Sequence, residues 1–172
     1  VTPDSRSARP LDSRRIDLPD PAATDALAAR LAPALAPGMV VWLRGGLGAG
    51  KTTLVRGVLR ALGHTGRVRS PTFTLLEPYN PAKFPVYHFD FYRFSSAREW
   101  RDAGFEDYFR GAGVCLVEWP ELAGPDLPAP DLQIALEIVG DSADGGDAPR
   151  IARLDAYDEA GRRCLTAVDA GC

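Results

Sequence analysis

The sequence predicts an α/β fold, a sheet flanked by helices with antiparallel strands added at the C-terminal end. Three observations carry that expectation. An apolar run, Met39-Val40-Val41-Trp42-Leu43, passes directly into a glycine-rich loop and then into a segment with Leu54, Val55, Val58, Leu59 and Leu62 at helical spacing. A second apolar run, Val114-Cys115-Leu116-Val117, reads as an interior strand, because strands covered on both faces lose the polar alternation of half-exposed ones. Leu132 to Val139 and Arg150 to Leu154 read as two further strands joined by the loop Gly140 to Pro149.

Residues 1–15 are polar and carry Pro3 and Pro10, so they read as a mobile tail ahead of a single domain over residues 16–172. The domain opens with a short extended segment near Ile16 to Leu18. Ala26, Leu27, Leu31, Ala34 and Leu35 recur at helical spacing and predict a helix from Thr24, as cap, to Leu35, ended by Pro37-Gly38. After the Met39–Leu43 strand and its glycine loop, the second helix runs from Lys51 to Leu62 and stops at Gly63.

Ser70-Pro71-Thr72 opens a predicted strand that continues through Phe73 to Leu76, and Pro78, Asn80 and Pro81 form the following turn. Val86 to Phe91 is the next strand. Its alternation sends Tyr87, Phe89 and Phe91 to one face and Val86, His88 and Asp90 to the other. Ala97 to Ala103 and Phe105 to Phe109 read as short helices before the Val114–Val117 strand, which ends on Glu118-Trp119-Pro120.

Composition narrows the function classes. At 172 residues, 45% hydrophobic and 25% charged, the chain has the make-up of a globular domain able to bury a core. No apolar run approaches the ~20 residues that span a bilayer, and the N-terminal residues lack a signal-peptide apolar core, so the expected compartment is the cytoplasm, with no membrane association. Cys115, Cys164 and Cys172 fit no metal-ligand spacing and read as free thiols. The net charge of −3 argues against a general nucleic-acid binder. The charge is unevenly placed, however: residues 44–76 hold Arg44, Lys51, Arg56, Arg60, Arg67 and Arg69 with no acid, whereas residues 111–149 hold eight acids and no Lys or Arg. That basic segment would steer phosphates or an acidic partner, or simply be solvated arginine on a helix face.

The loop Gly45-Gly46-Leu47-Gly48-Ala49-Gly50-Lys51-Thr52 has the pattern G-x-x-x-x-G-K-[ST]. Its chemistry requires those residue types. Backbone N–H groups of a glycine-rich loop wrap phosphate oxygens, the lysine supplies a point charge, and the hydroxyl ligates Mg²⁺. A preceding strand and a following helix are the context that the motif demands, and both are read here independently of it. The expected ligands are therefore ATP and Mg²⁺ on a P-loop NTPase-like sheet.

Phosphoryl chemistry also needs an acid at the carboxyl end of a neighbouring strand. Glu118 and Asp90 both qualify. Glu118 ends the most apolar strand and is assigned a Mg²⁺ contact, direct or through water. Asp90 would orient or deprotonate the attacking water. His64 and His88 lack a Cys or His partner at metal spacing and are left without a role, and Trp119 beside Glu118 packs near the site or in the core.

Asn80, the sole Asn, precedes Pro81, which excludes guanine recognition through N-K-x-D, and the sole Gln, Gln133, lies far downstream of the phosphate loop. A carboxylate must then position the water. Arg93, Arg98, Arg101 and Arg110 include a candidate arginine finger or pair with Glu99, Asp102, Glu106 and Asp107 on the short helices. Besides ATP hydrolysis, a nucleotide-gated binding module with incidental turnover and a small-molecule kinase remain open alternatives.

Five segments in order and spacing resemble one family: Leu47-Gly48-Ala49-Gly50-Lys51-Thr52-Thr53, Ser70-Pro71-Thr72-Phe73-Thr74-Leu75, Tyr87-His88-Phe89-Asp90-Phe91-Tyr92-Arg93, Asp107-Tyr108-Phe109 and Leu116-Val117-Glu118-Trp119-Pro120. They lie between residues 47 and 120, and over about residues 16–155 the chain resembles the bacterial TsaE (YjeE) ATPases of tRNA threonylcarbamoyladenosine modification. The resemblance implies a compact P-loop fold and an ATPase, slow when isolated, that acts with TsaB and TsaD subunits and meets tRNA only indirectly. It implies that Leu47, Gly48, Ala49, Gly50, Lys51, Thr52 and Thr53 hold the nucleotide and that Thr52 and Glu118 ligate Mg²⁺. Lys51, Asp90 and Glu118 carry catalysis, Ser70-Pro71-Thr72 resembles a switch-like loop near the γ-phosphate, and Leu18 to Thr24 lie near the adenine. One departure is plain: Gly46 stands where the family usually has Asp before the Leu-Gly-Ala-Gly run.

Overall fold

A computed structural model describes residues 9–140 and 148–171. Seven strands form one sheet in the order β1-β7-β6-β2-β5-β4-β3. They are β1 (Asp12–Leu18), β2 (Val40–Arg44), β3 (Leu76–Tyr79), β4 (Val86–Asp90), β5 (Val114–Glu118), β6 (Leu132–Ile138) and β7 (Arg150–Ala156). The interior strands β4, β5, β2 and β6 run parallel, whereas β7 lies antiparallel between β6 and β1, and β3 closes the other edge antiparallel to β4. The expected α/β architecture with antiparallel C-terminal strands is the one observed.

The first helix, α1 (Pro21–Leu31), starts earlier than the periodicity indicated. Asp20, not Thr24, is its cap: the carboxylate accepts the Ala23 N–H at 2.7 Å, and Pro21 occupies the first helical turn, where a missing N–H costs nothing. Thr24 is buried instead. The helix gives way to a 3₁₀ turn over Ala32–Ala34, because Pro33 interrupts the α-helical ladder. The second helix, α2 (Lys51–Ala61), follows the glycine loop as expected. Two short helices, α3 (Glu99–Asp102) and α4 (Glu106–Arg110), precede β5, and α5 (Glu159–Asp169), which the sequence reading did not anticipate, ends the described chain.

Two apolar layers sandwich the sheet. On one face Leu27, Leu31, Leu54, Val58, Leu132 and Leu165 join α1, α2 and α5 to the strands. On the other, Trp42, Phe89, Phe91, Trp100 and Val117 form an aromatic layer beneath α3 and α4. The alternation read for β4 is thus realised, since Phe89 and Phe91 enter the aromatic layer while Val86 enters the opposite one.

Three further expectations require correction. The strand predicted from Ser70 does not form: residues 70–75 are loop and turn, and pairing begins only at Leu76. Leu75 takes a positive φ of 66°, and its N–H is held by the Pro71 carbonyl at 2.6 Å, a tight turn incompatible with a strand. Pro78 lies inside β3 rather than in the turn, which an edge strand tolerates. The boundary of the expected N-terminal tail also moves, since Asp12 to Arg15 pair with β7 as the first half of β1. The tail residues before Arg9, most of the Gly140–Pro149 loop and Cys172 lie outside the described residues.

Candidate functional site

The register of the parallel strands assembles the site. Leu43 on β2 pairs with Glu118 on β5, and Asp90 on β4 pairs with the same Glu118, so both acids end their strands beside the loop that leaves β2. Residues 45–50 then turn back into α2. Gly45 has a φ of 139°, and a Cβ there would run into the Leu136 carbonyl; Gly50 has a φ of 104° as it enters the helix. Only glycine meets these demands without strain.

Lys51 is 5% exposed, and its Nζ donates to the carbonyls of Gly45 at 2.6 Å and Gly46 at 2.9 Å. The ammonium also lies 3.9 Å from the centroid of the Trp119 ring, a cation–π contact that begins to replace lost hydration. Burial lowers the Lys51 pKa from its ordinary value, opposed by the negative charges of Glu118, Asp90 and Glu121. Trp119 therefore does border the site. It sits there in a left-handed conformation, φ 56°, which for a bulky residue costs about 1–3 kcal/mol and is stored next to the chemistry.

The two acids are held by different partners. Glu118 Oε1 accepts the Thr52 hydroxyl at 2.8 Å and lies 2.8 Å from His88 Nε2. Asp90 Oδ2 accepts the Thr72 hydroxyl at 2.8 Å and that of Ser70 at 3.3 Å, while Oδ1 accepts the Tyr92 N–H at 2.9 Å. The irregular turn at residues 70–75 is what carries Ser70 and Thr72 to Asp90.

These groups line one cleft of about 390 Å³, which takes in Leu47 to Thr53, Ser70, Thr72, Asp90 and Glu118. Every residue expected to bind phosphate, metal or water faces this one cleft. Arg150, at the start of β7, lines it too, and sequence reasoning gave no role to that residue or to His88. The alternation of β4 had placed His88 on the face of Asp90, which was the available signal. Nothing local marks Arg150, because β7 reaches the loop only through sheet pairing. A smaller cavity of about 60 Å³ adjoins, lined by Pro21, Thr24, Gly50, Thr53 and Arg150. Pro21 and Thr24 thus lie within the segment expected near the adenine, whereas Leu18 is core.

Thr52 and Glu118 present hard oxygen donors, the kind that Mg²⁺ selects. Among the described residues no cluster of three or more His, Cys, Asp or Glu could hold a metal on its own. A divalent cation here would complete its shell from phosphate oxygens and water, the usual manner of Mg²⁺, and the residues present fit that arrangement. Other expectations resolve more plainly. Arg101 pairs with Glu106 and Asp126 at 3.0 Å each, and Arg110 lies 3.8 Å from Glu106, so these two serve the short helices. Cys115 and Cys164 are free and buried, and burial pushes their thiols up to about 12 and about 11.

A strand, a glycine loop and a helix N-terminus with Lys51 and Thr52 turned into a shared cleft define a P-loop protein of the α/β class. The family model described as "Threonylcarbamoyl adenosine biosynthesis protein TsaE" matches residues 18–144. The tRNA threonylcarbamoyladenosine biosynthesis protein TsaE of Bacillus subtilis is 46% identical over 122 residues, 71% of this chain and 76% of that protein. The protein of the same name from Synechocystis is 44% identical over 122 residues, 69% of this chain and 76% of its own length. The crystal structure of Bacillus subtilis YdiB superimposes with a TM-score of 0.76 at 33% identity, covering 92% of this chain and 95% of that one. The chain belongs to the TsaE family.

Proposed function

We propose that this protein is a cytoplasmic Mg²⁺-dependent ATPase, slow in isolation, that serves threonylcarbamoyladenosine modification of tRNA together with TsaB and TsaD subunits. The observation that carries the reading is the convergence of Lys51, the Thr52–Glu118 pair and the Asp90–Thr72 pair on one cleft at a glycine loop. The names of the relatives supply the tRNA modification.

In this reading the loop N–H groups and Lys51 bind the phosphates, and Thr52 with Glu118 holds the metal. Bound Mg²⁺ neutralises charge on the phosphate oxygens. Lys51 exchanges the Gly45 and Gly46 carbonyls for phosphate. Asp90, fixed through both oxygens, orients the attacking water and accepts its proton. Gly46 serves here through its carbonyl, which takes one hydrogen bond from Lys51, so that interaction does not require the family's usual side chain.

Partner association is supported by the ground around the cleft. Phe73 on the 70–75 loop is 81% exposed, Leu47 at the tip of the glycine loop is 77% exposed, and the Arg93 guanidinium lies 4.1 Å from the Phe73 ring centroid. Beside them Arg56, Arg60, Arg67 and Arg69 line a groove of about 450 Å³ that shares Ser70 with the nucleotide cleft. Exposed aromatic and arginine groups are the chemistry of a protein interface, and no tRNA contact is needed to account for them.

Reconstitution with TsaB and TsaD tests the reading. ATP-dependent association and modification that require this protein are expected; modification at the same rate without it overturns the assignment. A second reading, a nucleotide-gated module whose turnover is incidental, is favoured by the tie between Asp90 and the Ser70–Thr72 loop, which would let the loop register the bound nucleotide.

A further inference from the structure

His88 is 0% exposed, one of few buried polar side chains among the described residues, and the proposed chemistry gives it no part. It pairs across the sheet with Leu116, two residues before Glu118 on the same face of β5, so its ring reaches Glu118 along the diagonal of the ladder. Nε2 lies 2.8 Å from Oε1 of that carboxylate. With the carboxylate oxygen as acceptor, the ring donates Nε2–H to it, and the second ring nitrogen, Nδ1, is left to find another partner. Nδ1 is buried and has no hydrogen-bond partner among the described residues. A buried polar atom left unsatisfied costs free energy, and an apolar side chain would avoid that cost, so the histidine is not explained as core filling.

The same oxygen accepts the Thr52 hydroxyl at 2.8 Å. Thr52 can ligate a metal ion through its oxygen lone pair while still donating its O–H to Glu118, so among the described residues Thr52 and His88 together fix this carboxylate from the side-chain side, and of the two only His88 has no ligand role of its own. We propose that His88 is a positioning residue for the metal site: it holds the Glu118 carboxylate so that Glu118 and Thr52 can share a divalent cation with the nucleotide. The inference rests on the reading of Thr52 and Glu118 as metal-holding residues. Partners that orient metal ligands from behind typically contribute ten-fold or more to metal affinity.

The experiment is equilibrium binding of ADP to the full chain, in Mg²⁺ and in EDTA, for wild type, His88→Leu, His88→Gln, His88→Asn and Glu118→Ala. The quantity read is the ratio of the two affinities. His88→Leu is expected to lose about ten-fold of the Mg²⁺ enhancement while its affinity in EDTA stays within about two-fold of wild type. His88→Gln, whose amide nitrogen stands near the Nε2 position, is expected to restore most of the enhancement, and the shorter His88→Asn is not. If Glu118→Ala loses the enhancement and His88→Leu keeps it, the role of His88 is overturned while the metal reading stands. If both keep it, both are overturned. Equal behaviour of His88→Gln and His88→Asn also overturns the proposal, and it does so even if His88→Leu does not fold.

Discussion

The Lys51 ammonium rests against the Trp119 ring while bonded to the carbonyls at the start of its own loop. In the proposed function, phosphate draws the ammonium away from both. Trp42 and Trp100 are buried in the aromatic layer, so Trp119 is the tryptophan placed to report the event. ADP is expected to change the intrinsic fluorescence, and Trp119→Phe to abolish the change. Lys51→Ala should remove the phosphate clamp and lower kcat/KM by about 100-fold or more. Unchanged ATP turnover in Lys51→Ala would count against the assigned chemistry.

Asp90 supplies the acceptor for both loop hydroxyls and for the Tyr92 N–H. Asp90→Asn keeps oxygen and volume but loses the base. ATP hydrolysis is expected to fall by about 10²–10³, with ADP binding little changed. Reconstituted tRNA modification then separates the two readings: its loss with hydrolysis supports the ATPase, and its full retention supports the nucleotide-gated module.

Reversing charge at Arg67 and Arg69 leaves the cleft chemistry untouched, since both line the neighbouring groove. The double variant Arg67→Glu, Arg69→Glu is expected to weaken association with the partner subunits by about ten-fold at low salt and less at high salt, because screening shortens the reach of the arginines. Basal ATP turnover should be unchanged. Affinity measured across an ionic-strength series checks both statements.

Asp131 immediately precedes β6, and its carboxylate accepts the Val40 N–H at 2.6 Å. Burial, reinforced by neighbouring Asp158, raises its pKa from 3.8 to about 6. Between those values the folded state binds more protons than the unfolded one, so this group's contribution to stability is fully present below about pH 4 and is lost as pH rises to about 6. Asp131→Asn keeps an acceptor for Val40 and removes the charge. Its unfolding free energy should vary less between pH 4 and pH 6 and exceed that of wild type at pH 7.5 by about 1 kcal/mol, after allowance for solvent screening. Denaturant titrations at the three pH values check the sign.

The stretch from Met39 to Leu62 was legible because its information is local: an apolar run, glycines where the chain must turn tightly, and helical spacing follow one another without a break. The same holds for β5 ending on Glu118 and for the two faces of β4. The start of α1 was misplaced because Asp20-Pro21, a cap followed by a first-turn proline, outweighed the apolar periodicity that pointed to Thr24. Propensity alone favours strand over residues 70–75, because it cannot register that Leu75 must adopt a positive φ.

By itself the sequence determined that this protein carries a glycine-rich P-loop between a strand and a helix, and which acids end the strands around it. Tertiary structure alone decided how those acids are held. Thr52 meets Glu118 across 66 positions of sequence, His88 meets the same carboxylate across 30, and Thr72 meets Asp90 across 18. Such pairs depend on strand register and on one strained turn, and both are set by packing of the whole sheet rather than by any neighbouring residue.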